Sequence, residues 1–248
     1  MNRLDKPVAL FIPCYVDQFY PQVGIATLEL LEKLGCKVEY PLNQTCCGQP
    51  FANSGYKNSA GSIHRHFTKT FSDYSYVVCP SGSCTQYVRE HLGTSVKGGE
   101  AVGHNTFELI EFLYDVLEVR EFDVSFPKKV GLHQSCHGLR GLRLAKSSEL
   151  NLPDYNKTRA LLETVKDITL MPLDYPDECC GFGGTFSVME EGVSVKMGVD
   201  RINDHKKQGV DVIAGNDMSC LMHLEGLLRR EKTPIQVCHV AEILNGKV

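Results

Sequence analysis

The chain has 248 residues, 42% of them hydrophobic and 23% charged, with a formal net charge of −4. That length suffices for one large or two small cores, and a mildly acidic balance leaves no electrostatic footprint for nucleic acid or an anionic membrane surface. No run approaches the about 18–20 apolar residues that span a bilayer, and the apolar start at 8–13 is too short for a secretory leader. The sequence therefore reads as cytoplasmic, with membrane association open only through a partner.

In chain order, residues 8–12 predict a short buried strand. Residues 21–34 predict a helix with Ile25, Leu28, Leu31 and Leu34 on one face and Gly35 as its stop. A strand at 38–40, a helix at 56–71, a strand at 76–79 and a helix from 84 to 92 follow. Segment 121–128 carries charges and Pro127, and divides the chain into expected halves at 1–124 and 125–248. Beyond it come a strand at 130–133, a helix at 157–165 and a strand at 168–173. A helix at 193–207 stopped by Gly209, a strand at 210–214 and a helix at 220–230 complete the series. Strands alternating with helices predict an α/β fold with mostly parallel sheets. The expected architecture is two similar Rossmann-like halves forming an internal pseudo-two-fold repeat.

The repeat is visible in the residues themselves. Val8-Ala-Leu-Phe-Ile-Pro-Cys14 matches Val130-Gly-Leu-His-Gln-Ser-Cys136, and Thr45-Cys46-Cys47-Gly48 matches Glu178-Cys179-Cys180-Gly181. Val77-Val78-Cys79-Pro80-Ser81-Gly82-Ser83-Cys84 matches Ile213-Ala214-Gly215-Asn216-Asp217-Met218-Ser219-Cys220. A looser match sets His104 to Ile110 against Cys238 to Leu244. One ordered pattern thus occurs twice: Cys, then Cys-Cys-Gly, then Ser-Cys. Of the 11 cysteines, Cys36, Cys79 and Cys238 have no counterpart and read as buried thiols of no special role.

An odd number of cysteines in a reducing compartment is not a disulfide framework. Each repeated cysteine is expected just beyond the carboxyl end of a strand, where open parallel sheets hold ligands. Four thiols from three loops suit an iron–sulfur cluster or zinc. Adjacent cysteines that diverge, without paired Cys-x-x-Cys knuckles, favour the cluster. The candidate ligands are Cys14, Cys46, Cys47 and Cys84, then Cys136, Cys179, Cys180 and Cys220. Gly48 and Gly181 would permit positive φ and a close backbone approach. His133 and His137 flank Cys136 and could tune a cluster or donate a proton, or be ordinary loop histidines. His64 and His66 read as helix-surface residues. Arg140 and Arg143 could hold an anionic substrate or meet an acidic partner. No flavin, nicotinamide, haem or metalloprotease motif is present, so no catalytic residue is assigned.

These residues resemble the cysteine-rich CCG domain family over nearly the whole chain. Its members include heterodisulfide reductase subunits and the iron–sulfur subunits of hydroxy-acid and glycerol-phosphate oxidising enzymes. The resemblance implies an iron–sulfur electron-transfer subunit, with four-iron clusters, in a system oxidising L-lactate to pyruvate. It also implies other subunits as partners, among them a ferredoxin-like iron–sulfur protein. A zinc-stapled docking subunit, with zinc at one or both sites, and a heterodisulfide or thiol reductase subunit are the alternatives. The family pattern ends each repeat in Cys-x-x-Cys, whereas this chain has Ser81 and Asp217 at the earlier position. Asp217 could therefore be an oxygen ligand or a helix N-cap.

Overall fold

The apolar run that opens each half becomes an inner strand of a sheet, because a strand buried on both faces needs continuous apolar residues. The structure, a computed structural model, describes residues 4–247 and separates into two units that divide between Val119 and Arg120. The first unit runs β1 (Val8–Leu10), α1 (Cys14–Phe19), α2 (Pro21–Lys33), β2 (Val38–Glu39), α3 (Gln49–Asn53) and α4 (Gly61–Phe71). It continues through β3 (Tyr76–Cys79), α5 (Gly82–Ser95), α6 (Gly99–His104), β4 (Thr106–Glu108) and α7 (Leu109–Glu111).

The second unit runs β5 (Lys129–His133), α8 (Lys157–Leu162), β6 (Thr169–Met171), α9 (Phe186–Met189) and α10 (Glu191–Lys207). It ends with β7 (Val212–Gly215), α11 (Met218–Arg230), β8 (Gln236–His239) and α12 (Val240–Asn245). Both sheets are four-stranded and wholly parallel, in the orders β2-β1-β3-β4 and β6-β5-β7-β8. Parallel neighbours need crossovers, which the helices supply. In each unit the chain steps outward from its first strand and returns on the other side. The loops after the first and third strands therefore part at one point of the carboxyl edge, the place where open α/β sheets bind ligands.

The fourth strands, β4 and β8, were not among the sequence expectations, being short and flanked by polar residues. Their pairing corrects the loose match between the ends of the repeats. Cys79 pairs with Glu108 and Gly215 with His239, so Glu108 is equivalent to His239 rather than to Glu242. Both residues cap the following helix. Glu108 accepts from the Ile110 and Glu111 amides at 2.6 and 3.2 Å, and His239 from the Ala241 amide at 3.1 Å.

The units differ in the layer behind the first strand. In the first, Phe11 meets Phe67 edge-on at 4.8 Å and Phe71 at 5.7 Å, both rings contributed by α4. In the second, the residue equivalent to Phe11 is His133, and the corresponding helix α10 contributes Arg201 and His205. All three are buried. Arg201 is neutralised by Asp204, 3.3 Å away, and donates to the Tyr175 carbonyl. Asp204 also accepts from the Asp174 and Tyr175 amides at 3.0 and 3.1 Å.

Gly131 makes room for this polar layer. A β-carbon there would lie 2.8 Å from Cε1 of His205 and 3.0 Å from a Val210 methyl. Its counterpart in the first unit is Ala9. Gly131→Ala is expected to lower stability by about 1–3 kcal/mol through overpacking. Urea unfolding would show this as a reduced midpoint, and an unchanged midpoint would contradict the packing.

Burial pushes His205 down to about 2, aided by the Arg201 charge. Its folded value lies below the unfolded value of about 6.5, so the unfolded chain takes up the proton first. Stability contributed by the neutral ring is therefore present above about pH 6.5 and falls on acidification, by up to about 1.4 kcal/mol per pH unit. Urea midpoints of metal-free protein should decline below about pH 6.5, and less steeply in His205→Phe. Equal slopes in the two proteins would overturn the assignment.

Candidate metal centres

In the first unit three loops deliver four thiols to the carboxyl edge of the sheet. Cys14 opens α1 after β1, Cys46 and Cys47 precede α3 after β2, and Cys84 lies in the first turn of α5 after β3. The thiols form a chain of contacts, Cys14 to Cys46, Cys46 to Cys47, and Cys47 to Cys84, the last pair 3.5 Å apart. Exposure grades along this chain from Cys14, which is open to solvent, to Cys47, which is 2% exposed.

The second unit repeats the arrangement with Cys136 after β5, Cys179 and Cys180 after β6, and Cys220 in the first turn of α11. Cys136 contacts Cys179, Cys179 contacts Cys180, and Cys180 contacts Cys220. Cys180 is buried as deeply as Cys47. The chain leaves Cys136 through a wide π-helical turn at His137–Gly141, closed by the Leu142 amide on the His137 carbonyl at 2.8 Å.

The glycine after each cysteine pair shapes the loop. Gly48 and Gly181 have φ of +99° and +88°, a region closed to most L-residues. This turn aims each glycine amide back at the first sulfur of the pair. Gly48 donates to Cys46 Sγ and Gly181 to Cys179 Sγ, both at 3.4 Å. Hydrogen bonds from Cys14 and then Cys47 hold the Cys46 thiol far below the ordinary thiol range, and Cys136 and Cys180 do the same for Cys179. The donating thiols are pushed upward by the same contacts and by burial. The thiolate is the form that binds metal.

The residues standing where the family pattern has a further cysteine are helix caps. Ser81 Oγ accepts from the Cys84 amide at 3.3 Å, and Asp217 accepts from the Ser219 amide at 3.1 Å and its hydroxyl at 2.6 Å. The capping reading of Asp217 is the one the structure supports. Cys36 and Cys238 are buried thiols, raised by burial. Cys79 lies within β3 with no exposed surface.

His64 is not on the helix surface as expected. It is 1% exposed, its Nε2 lies 3.0 Å from the Tyr87 hydroxyl, and it backs onto Gly48. His66 is partly exposed and bonds the Asn43 carbonyl at 2.6 Å. His137 is exposed, whereas His133 is buried beside Cys180 and Cys220, the donor atoms of these three all lying within 4.8 Å of one another. Arg140 is spent on Glu149, 2.5 Å away, and on the Asp177 carbonyl. Arg143 is exposed, at a φ of +53°. Among the described residues no helix is long and apolar enough to cross a membrane.

The donor set answers what could be held here. Eight thiols, none in a disulfide, converge four by four with backbone amides on their sulfurs. Carboxylates that would suit a hard cation are not among them. The residues fit a soft metal or an iron–sulfur group. Fold and site together define a duplicated parallel α/β protein with one thiol cluster per unit.

The chain belongs to the CCG cysteine-rich domain family, whose profile matches it twice, over residues 8–89 and 130–225. It is similar to lactate utilization protein A of an Exiguobacterium species, at 43% identity over 97% of this chain and 98% of that protein. The proteins of the same name from Geobacillus kaustophilus and Shouchella clausii are 41% and 40% identical, over 97% of this chain and 99% of theirs. Among solved structures, a putative Asp/Glu racemase from Yersinia pestis aligns over 97% of this chain and 96% of its own, at 11% identity and a TM-score of 0.38. That likeness is too distant to bear on activity.

Proposed function

We propose that this chain is an iron–sulfur electron-transfer subunit of a cytoplasmic system that oxidises L-lactate to pyruvate. The observation that carries the reading is the duplication of a four-thiol site at the same edge of two parallel sheets. The name shared by its relatives supplies the metabolic setting. Cys14, Cys46, Cys47 and Cys84 would hold one cluster, and Cys136, Cys179, Cys180 and Cys220 the other. Bound there, such a cluster supplies reversible one-electron transfer.

Lactate oxidation releases two electrons and two protons, and two one-electron centres match that count. The buried Cys47 and Cys180 anchor the inner side of each site. Cys14 lies at the exposed rim of the first, where a partner protein can come within electron-transfer reach. The carbon-bound hydrogen of lactate would be removed on a partner. Other subunits, including a ferredoxin-like iron–sulfur protein, would complete the path.

The test is reduction by substrate. Anaerobic protein mixed with its partners should bleach on addition of L-lactate, and pyruvate should appear in proportion. Full iron content with no lactate-dependent bleaching in the complete mixture would remove the lactate assignment.

A second reading rests on one distance. The 3.5 Å separation of Cys47 and Cys84 sulfurs is near the edge of about 3.8 Å expected for a tetrahedral zinc site with 2.3 Å bonds. Zinc would make the sites structural staples of a docking subunit.

A further inference from the structure

The two thiol sites have different chemistry available to them. We propose that His133 is a fifth protein ligand of the second metal centre, which therefore has mixed sulfur and nitrogen ligation, while the first is bound by sulfur alone. The inference rests on the reading that the second thiol site holds a metal or an iron–sulfur cluster.

Three observations meet at this residue. First, its ring reaches the cysteines: one nitrogen of His133, Cys180 Sγ and Cys220 Sγ all lie within 4.8 Å of one another. Second, the ring is 1% exposed, and neither nitrogen has a hydrogen-bond partner among the described residues. A buried polar group in that state is destabilising unless something binds it, and imidazole is among the commonest metal ligands. Third, the fold does not require a histidine here. Phe11 fills the equivalent place in the first unit as a plain packing residue against Phe67 and Phe71.

The experiment uses the full chain, prepared without oxygen, with nitrogen-isotope-labelled histidine. Cys46→Ser and Cys47→Ser are introduced together so that only the second centre is loaded. Pulsed electron paramagnetic resonance of the reduced protein should show one strongly coupled, isotope-sensitive imidazole nitrogen. In His133→Phe that coupling should vanish. The labelled protein with His133 intact is informative even where His133→Phe folds poorly. If metal analysis finds zinc without sulfide, the electron-transfer reading fails, and the same coupling is sought after exchange with cobalt(II). A second site loaded with iron or cobalt(II) but lacking a bound imidazole, or one that takes up neither, overturns the proposal.

Discussion

Gly181→Ala is expected to empty the second thiol site while the first stays loaded. The new β-carbon would stand 2.6 Å from the Ser194 carbonyl oxygen and 2.7 Å from Met197 Cβ, on a backbone at φ +88°. The helix backbone of α10 cannot yield as a side-chain tip can. Ser194 is further tied to the loop through its hydroxyl, which donates to the Gly181 carbonyl at 2.8 Å. Left-handed strain and overpacking together should cost about 2–5 kcal/mol. Relief must come from moving the Cys179-Cys180 loop off the site. Gly48→Ala should be milder, because its β-carbon would meet only the His64 and Tyr87 rings, no closer than 3.1 Å. Metal content per chain and urea midpoints would check the ranking. Equal loss in the two variants would show that the loops do not control their sites through these contacts.

The second large effect concerns the buried thiols. Cys180→Ser should halve the bound metal and leave the other half unchanged, because each unit supplies all four of its thiols from its own loops. The hydroxyl is a poor soft-metal ligand and is buried where the thiol bridged Cys179 and Cys220. Cys47→Ser should halve it from the other side. Combining the two should remove it all. The exposed Cys14 should be more forgiving, since solvent can take up the vacated position. Metal analysis of the purified variants reads each outcome directly, and complete loss on a single substitution would show that the two sites load together.

Much of this was legible in the sequence because it occurs twice. A thiol pattern repeated in the same order, each element beyond an apolar strand, fixes where the loops must converge before any contact is seen. Helix α2 announced itself through apolar spacing and the Gly35 stop, and helix α10 through the Gly209 stop. The fourth strands did not, since three or four residues carry too little periodicity. His64 was misplaced although a signal existed. Residues 64, 67, 68 and 71 share the buried face of α4, and the histidine simply continues the stripe of Phe67 and Phe71. Arg201 and His205 were out of reach, because patterning sends polar residues outward. Only the structure shows them buried behind β5, where Gly131 leaves them space. The role of His133 needed the same layer, since alone it reads as one more loop histidine beside a cysteine.

Whether both thiol sites hold iron–sulfur clusters is decided by iron and acid-labile sulfide on protein purified without oxygen, with an electron paramagnetic resonance spectrum after reduction. Roughly eight irons per chain, matched by sulfide and by signals from two distinct centres, is the expected result. Zinc without sulfide, in protein that has never met oxygen, would rule the clusters out.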